Sequence, residues 1–252
     1  MIQYELALDD EGPDVQAYSV RVSGRARSVS LRVLPDIGLE VTVPKRFNQK
    51  HIPEIVRENR AWIEKALLEA KQQEALDARH WPPETLELAA IGQSVQLEFR
   101  ALASADDAWR GELAGDRLII ESPGGSYQPR AAVAKLVATL LKRKARQFLQ
   151  PVVALHAREQ GMVYRKLSIR GQRTLWGSYS SSGTLSLNYK LLFLPPQMVD
   201  YVVLHELAHT RHMDHSNDFW DLLEQMMPGA RRIDEELHEA VKLVPFWLER
   251  AS

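Results

Sequence analysis

The sequence predicts an α+β fold in two parts. Residues 1–125 form a β-rich region with one long helix at 52–78, and residues 126–252 combine a small antiparallel sheet with a helix that carries a histidine cluster. Three observations predict it. Residues 17–43 alternate apolar and polar side chains with period two, the pattern of half-buried strands. Residues 52–78 and 129–160 repeat apolar side chains at three and four, the pattern of amphipathic helices. Turn residues punctuate the remaining short β-rich runs, and Ser122-Pro123-Gly124-Gly125-Ser126 is the clearest linker, so the boundary falls there.

In chain order, residues 17–22 and 28–33 read as strands, with Ser23-Gly24 as turn residues between them. Pro35-Asp36-Ile37-Gly38 turns into a strand at 39–43, ended by Pro44. Arg21, Arg25, Arg27 and Arg32 cluster here as an outward polar row. In the helix at 52–78, Ile52, Ile55, Val56, Trp62, Ile63, Ala66 and Leu67 mark the core stripe. Trp81-Pro82-Pro83 breaks it, because a residue before proline avoids helical geometry. Short strands follow at 86–91, 95–99 and 117–120. The helix at 129–160 carries Lys142, Arg143, Lys144 and Arg146 at its middle, and Pro151 kinks it or opens its second half. Residues 162–170 read as a strand, and 176–180 with 184–188 as a hairpin around Ser181-Ser182-Gly183. Pro195-Pro196 opens the next helix, where proline in the first turn costs little. Further helices are expected at 217–227 and 233–248. No internal repeat is visible.

The helix after Pro196 contains His205-Glu206-x-x-His209, with His212 and His215 beyond it. Residues four apart on a helix share a face, so His205 and His209 can offer two neutral imidazoles to one tetrahedral metal ion. Glu206 leaves the helix beside the first ligand and is placed to take a proton from a metal-activated water. A catalytic zinc site needs three protein ligands and one open position. His215, six residues past His209, is the favoured third ligand; that spacing matches the H-E-x-x-H-x-x-G-x-x-H pattern of zinc peptidases, with His212 in place of the glycine. Glu224 on the next helix and His212 itself are the alternatives. A core helix with chance histidines is the competing reading, but it would strand several imidazoles without partners.

The chain has 252 residues, 45% of them hydrophobic and 26% charged, an ordinary globular balance. It has no cysteine, so disulfides and thiolate ligands are excluded. The N-terminus lacks the basic start and apolar core of a signal peptide, and no apolar run reaches membrane-span length. A soluble protein of the cytoplasm is expected. Net charge is −1, unevenly spread. Between Arg130 and Arg173 there are eleven Lys/Arg and one acidic residue, Glu159. That stretch is a candidate contact for DNA or nucleotide phosphate, although such a run is more often a helix's solvated face.

Several motifs now stand together: Ser23-Gly-Arg-Ala-Arg-Ser-Val-Ser-Leu-Arg-Val, Ile169-Arg170, Trp176-Gly177-Ser178, residues 185–188, Asp200-Tyr201-Val-Val, His205-Glu-Leu-Ala-His209, and His215-Ser216 followed by Phe219-Trp220. In these the sequence resembles the YgjP-like zinc metallopeptidase family, over most of its length. The resemblance implies a zincin-like catalytic half related to SprT-like and WLM-type DNA–protein crosslink proteases. It also implies a histidine as third ligand, which supports His215, and a strand at Thr184–Asn188 lying antiparallel beside an extended substrate. Two departures stand out: Leu175 replaces the family's arginine before Trp-Gly-Ser, and Tyr179 replaces its cysteine after it. Arg173 is the nearest substitute for that arginine.

The leading expectation is hydrolysis of peptide bonds by one catalytic zinc on His205, His209 and His215, with Glu206 as general base. Some members of the family are described as UTP pyrophosphatases, so hydrolysis of a nucleoside triphosphate is the alternative, with Arg170 and Arg173 neutralising phosphate charge. A non-catalytic module with a closed structural zinc is a third reading, and the carboxylate beside two helix ligands argues against it. Tyr201, Arg173 and His212 are weak candidates for stabilising an oxyanion. For Tyr201 and Trp176, packing is the commoner role.

Overall fold

The computed structural model describes residues 2–3, 18–24, 26, 28–34, 38–79, 81–102, 108–123, 129–172 and 175–249. Arg25, Arg27, Arg173, the turn at 35–37 and the linker centre at 124–126 lie outside the described residues. The chain forms two compact units, Met1–Trp81 and Pro82–Ser252. They part at the Trp81-Pro82 break, and the stretch Ser122–Ser126 falls inside the second unit.

In the first unit, β1 (Ile2–Gln3), β2 (Tyr18–Ser23), β3 (Ser30–Leu34) and β4 (Gly38–Pro44) form one sheet in the order β1-β2-β4-β3. β3 and β4 make the antiparallel hairpin, while β2 runs parallel to β4 with Val20 opposite Val41. Two helices follow, α1 (Ile52–Glu58) and α2 (Arg60–Arg79), where the periodicity predicted one. The two part at Asn59, whose side-chain amide donates to the Ile55 carbonyl at 2.8 Å beside its own backbone N–H at 3.2 Å. Asparagine competes for helix carbonyls in this way. The core is Tyr18, Leu39, Val41 and Val43 from the sheet with Ile52, Val56 and Ile63 from the helices. Trp62 does not join it: its side chain is 48% exposed, because one residue earlier on the helix it points about 100° away from Ile63.

The second unit repeats that strand plan. β5 (Thr85–Leu88), β6 (Gln93–Leu102), β7 (Arg110–Ala114) and β8 (Arg117–Pro123) stand in the order β5-β6-β8-β7, again antiparallel, parallel, antiparallel. Strand β7 was not expected, since Gly111 and Ala114 leave it few apolar side chains. Gly111 has a packing reason: a Cβ there would come within 2.9 Å of Leu136 and Leu140.

Those leucines belong to α3 (Arg130–Glu159), about 45 Å long and continuous through Pro151. Val133, Val137, Leu141, Ala145, Leu149 and Val153 are buried along one stripe, and α3 packs against β7, β9 and α4. Of its basic residues, Arg143 and Arg146 are exposed, whereas the Lys142 ammonium lies 5.6 Å from the Tyr189 ring centroid. β9 (Lys166–Arg170), β10 (Gly177–Tyr179) and β11 (Thr184–Asn188) form a third sheet in the order β10-β11-β9. It is mixed, not purely antiparallel: β10 and β11 are the expected hairpin, but β9 joins parallel to β11. α4 (Pro196–Ala208) and α5 (Asn217–Met226) lead to a broken C-terminal segment. A single helix over 233–248 was expected; instead α6 (Ala230–Leu237) is followed by a 3-10 turn (Ala240–Leu243) and α7 (Phe246–Glu249). Pro245 explains the second break, between the 3-10 turn and α7, holding Val244 extended at φ −86°, ψ 130°. No described helix is long and apolar enough to cross a membrane.

Candidate metal centre

Helix α4 is buried on several sides at once, through Val199, Val202, Val203, Leu207 and Ala208. It starts on Pro195-Pro196 and ends at Ala208, so His209 is its last cap. The chain then turns sharply, with the Arg211 and His212 amides both donating to the Ala208 carbonyl. This early stop lets residues 210–215 double back. One ligating atom from each of His205, His209 and His215 falls within 4.8 Å of the other two. The Nε2 atoms of His205 and His215 are 3.1 Å apart. Two ligands on a tetrahedral zinc, with bonds of about 2.0–2.1 Å, stand about 3.3 Å apart, so that pair already has the required separation.

The donors fit a borderline ion such as zinc: three imidazoles, with no thiolate available in the sequence. Both helix histidines have their far nitrogens engaged. Nδ1 of His209 lies 2.8 Å from the His212 carbonyl, and Nδ1 of His205 lies 3.2 Å from the Tyr201 hydroxyl. Each therefore turns Nε2 toward the common point. Burial, then the neighbouring His209 and His215, push the His205 pKa down to about 4, and burial lowers that of His209. Neutral imidazole, the ligating form, thus prevails at pH 7.

Phe219 is the floor of the cluster. It is fully buried, and its ring centroid lies 5.0, 4.7 and 4.8 Å from those of His205, His209 and His215. Sequence reasoning placed it in the helix after His215 and among the motif residues of the resemblance, without a role at the metal. Its position four residues after His215, one turn into the next helix, was the available signal.

The two other ligand candidates are used elsewhere. Glu224 accepts from the Gly229 and Arg231 amides at 2.8 and 2.9 Å, tying α5 to the start of α6. Those bonds hold its carboxyl below the ordinary range. His212 supplies its carbonyl to His209 and does not join the converging set.

Glu206 is 6% exposed, and burial pushes its pKa up to about 8. Its carboxyl end lies against Gly177 of β10, where a Cβ would come within 2.6 Å of Glu206 Cγ and Oε1. Asn188 holds the loop before β10, donating to the Gln172 and Leu175 carbonyls at 2.7 and 2.9 Å. Gly177 of the Trp-Gly-Ser motif therefore lies beside the carboxylate, and Asn188 braces the backbone that leads to it. Gly177→Ala is expected to keep metal but push Glu206 aside. A displacement of about 1 Å costs on the order of 100-fold in rate, so kcat should fall by about that factor while zinc content stays unchanged.

Tyr201 is 1% exposed, and its hydroxyl donates to Asp234 at 2.6 Å. Burial, then Asp234, hold its pKa far above the ordinary phenol range. A phenol enclosed in this way is not a free donor for a substrate oxyanion. Trp176 is half-buried, as a wall residue would be, and Arg170 is exposed at the end of β9.

The strand expected to lie beside substrate is corrected by the pairing. β11 is the middle strand, bonded to β10 on one side and β9 on the other, so it has no edge to offer.

A family model, the YgjP-like metallopeptidase domain, matches residues 27–240. Two solved structures are also similar. The zymogen of abylysin from Pyrococcus abyssi is 24% identical, covers 38% of this chain and 96% of its own, and has a TM-score of 0.35. For the zymogen of jannalysin from Methanocaldococcus jannaschii the values are 21%, 38%, 96% and 0.33. No curated protein matches. With the family model running from just before β3 to the first residue of the last 3-10 turn, and with the histidine cluster inside it, the chain belongs to the YgjP-like metallopeptidases.

Proposed function

We propose that the protein is a zinc-dependent peptidase, its chemistry carried by residues 126–252, with His205, His209 and His215 as the metal ligands and Glu206 as the general base. The observation that carries this reading is the convergence of three imidazoles next to a buried carboxylate on the same helix. A bound zinc ion would supply a Lewis acid, acidifying water and polarising the scissile carbonyl. Glu206 takes the proton from the attacking water and returns it to the leaving amine. Burial alone would keep Glu206 protonated at neutral pH; a cation in the filled site favours its carboxylate.

An extended peptide would pair along the outer edge of β10, the strand that touches Glu206 through Gly177. Antiparallel pairing there places backbone amides beside the base. No comparable argument favours a nucleotide.

The test is a parallel assay of zinc-loaded protein against unfolded polypeptide and against a nucleoside triphosphate panel that includes UTP. Chelator-sensitive peptide cleavage is expected. Release of pyrophosphate or phosphate without peptide cleavage would move the assignment to the pyrophosphatase alternative.

A further inference from the structure

We infer that Tyr201 and Asp234 form a positioning pair that fixes the proton of the first metal ligand, His205. The inference rests on His205 being a ligand. Tyr201 lies four residues before His205, so both side chains leave the same face of α4. Asp234 comes from α6, which packs on α4. The Tyr201 hydroxyl lies 2.6 Å from Asp234 Oδ1 and 3.2 Å from His205 Nδ1.

Counting protons decides the direction of the chain. A carboxylate has none to give, so the single phenol proton goes to Asp234. The phenol oxygen can then only accept from the ring, which puts the imidazole proton on Nδ1. Nε2 is left with its lone pair, facing the common point. His209 reaches the same tautomer differently: its Nδ1 meets the His212 main-chain carbonyl, another pure acceptor. One helix ligand is thus set by backbone, and the other by two side chains from different helices. Asp234 hydrogen-bonds to Tyr201, and its charge also bears on His205 through space.

Two single variants separate the roles. Tyr201→Phe keeps the ring and removes the acceptor. Asp234→Ala keeps the phenol and frees its proton, which then turns to Nδ1 and drives the ring proton onto Nε2, the ligating position. Each is expected to weaken zinc binding by about 10–100-fold, measured by chelator competition. The metal-free Phe variant should still fold, with a lowered melting temperature because Asp234 loses its donor. The double variant should bind little more weakly than the worse single one, because both act mainly through one hydrogen bond. His205→Ala serves as the reference. If Tyr201→Phe binds zinc as tightly as the parent while His205→Ala does not, the pair is overturned and the ligand assignment stands. Losses that add in the double variant would overturn it equally. If His205→Ala binds zinc normally, the ligand assignment itself fails.

Discussion

Glu206→Gln is expected to lower kcat by about 10²–10⁴-fold while zinc stoichiometry stays at one per chain. Glutamine nearly preserves the shape that fits against Gly177, so the substitution removes the base and little else. The same variant has a second consequence, in the metal-free protein. The carboxyl pKa stands at about 8 in the fold against 4.5 ordinarily, so the folded state holds a proton that the unfolded chain releases. Stability contributed by that proton is present below about pH 4.5 and is lost as pH rises through 8. Replacing Glu206 by a side chain that cannot ionise should therefore flatten this decline. At pH 9 the metal-free variant is expected to be more stable than the parent, by on the order of a few kcal/mol. His205 works in the opposite sense and in a lower window. With its pKa at about 4 against 6.5, metal-free stability rises with pH between those values. Denaturant melts across pH 4–9 on both proteins would separate the two slopes.

Phe219→Ala is expected to produce the largest loss of stability at the site. The ring is fully buried and contacts all three imidazoles, so truncation leaves a cavity under the cluster. Phenylalanine-to-alanine changes in cores cost about 3–5 kcal/mol. Part of that cost should appear as weaker metal binding, since the histidines lose the surface that orients them. Phe219→Leu fills most of the space and should recover most of the stability. Urea midpoints of the metal-free proteins and chelator competition of the loaded ones measure the two parts.

The parts of the fold that are local in sequence were legible in it. The periodicity of α3 and the proline start of α4 marked both helices, because a helix is specified by residues within a few turns. The spacing of His205, His209 and His215 likewise pointed to the cluster that forms. What was hidden is non-local. The parallel pairing of β2 with β4, and of β9 with β11, depends on partners 20 or so residues apart that leave no mark on either strand. The repeated strand plan of the two larger sheets was invisible for the same reason. At the site, Asp234 reaches His205 from α6 through a tyrosine, and Gly177 matters for what it lacks. Neither could be read from the spacing around the histidines.

The central claim is tested most directly by a crystal structure of the zinc-loaded protein, with anomalous scattering at the zinc edge. The prediction is one ion bonded to Nε2 of His205 and His209 and to a ring nitrogen of His215 at about 2.0–2.1 Å, with the remaining position held by a non-protein ligand within reach of Glu206. An ion closed off by a fourth protein ligand, or one that leaves His215 uncoordinated, would contradict it.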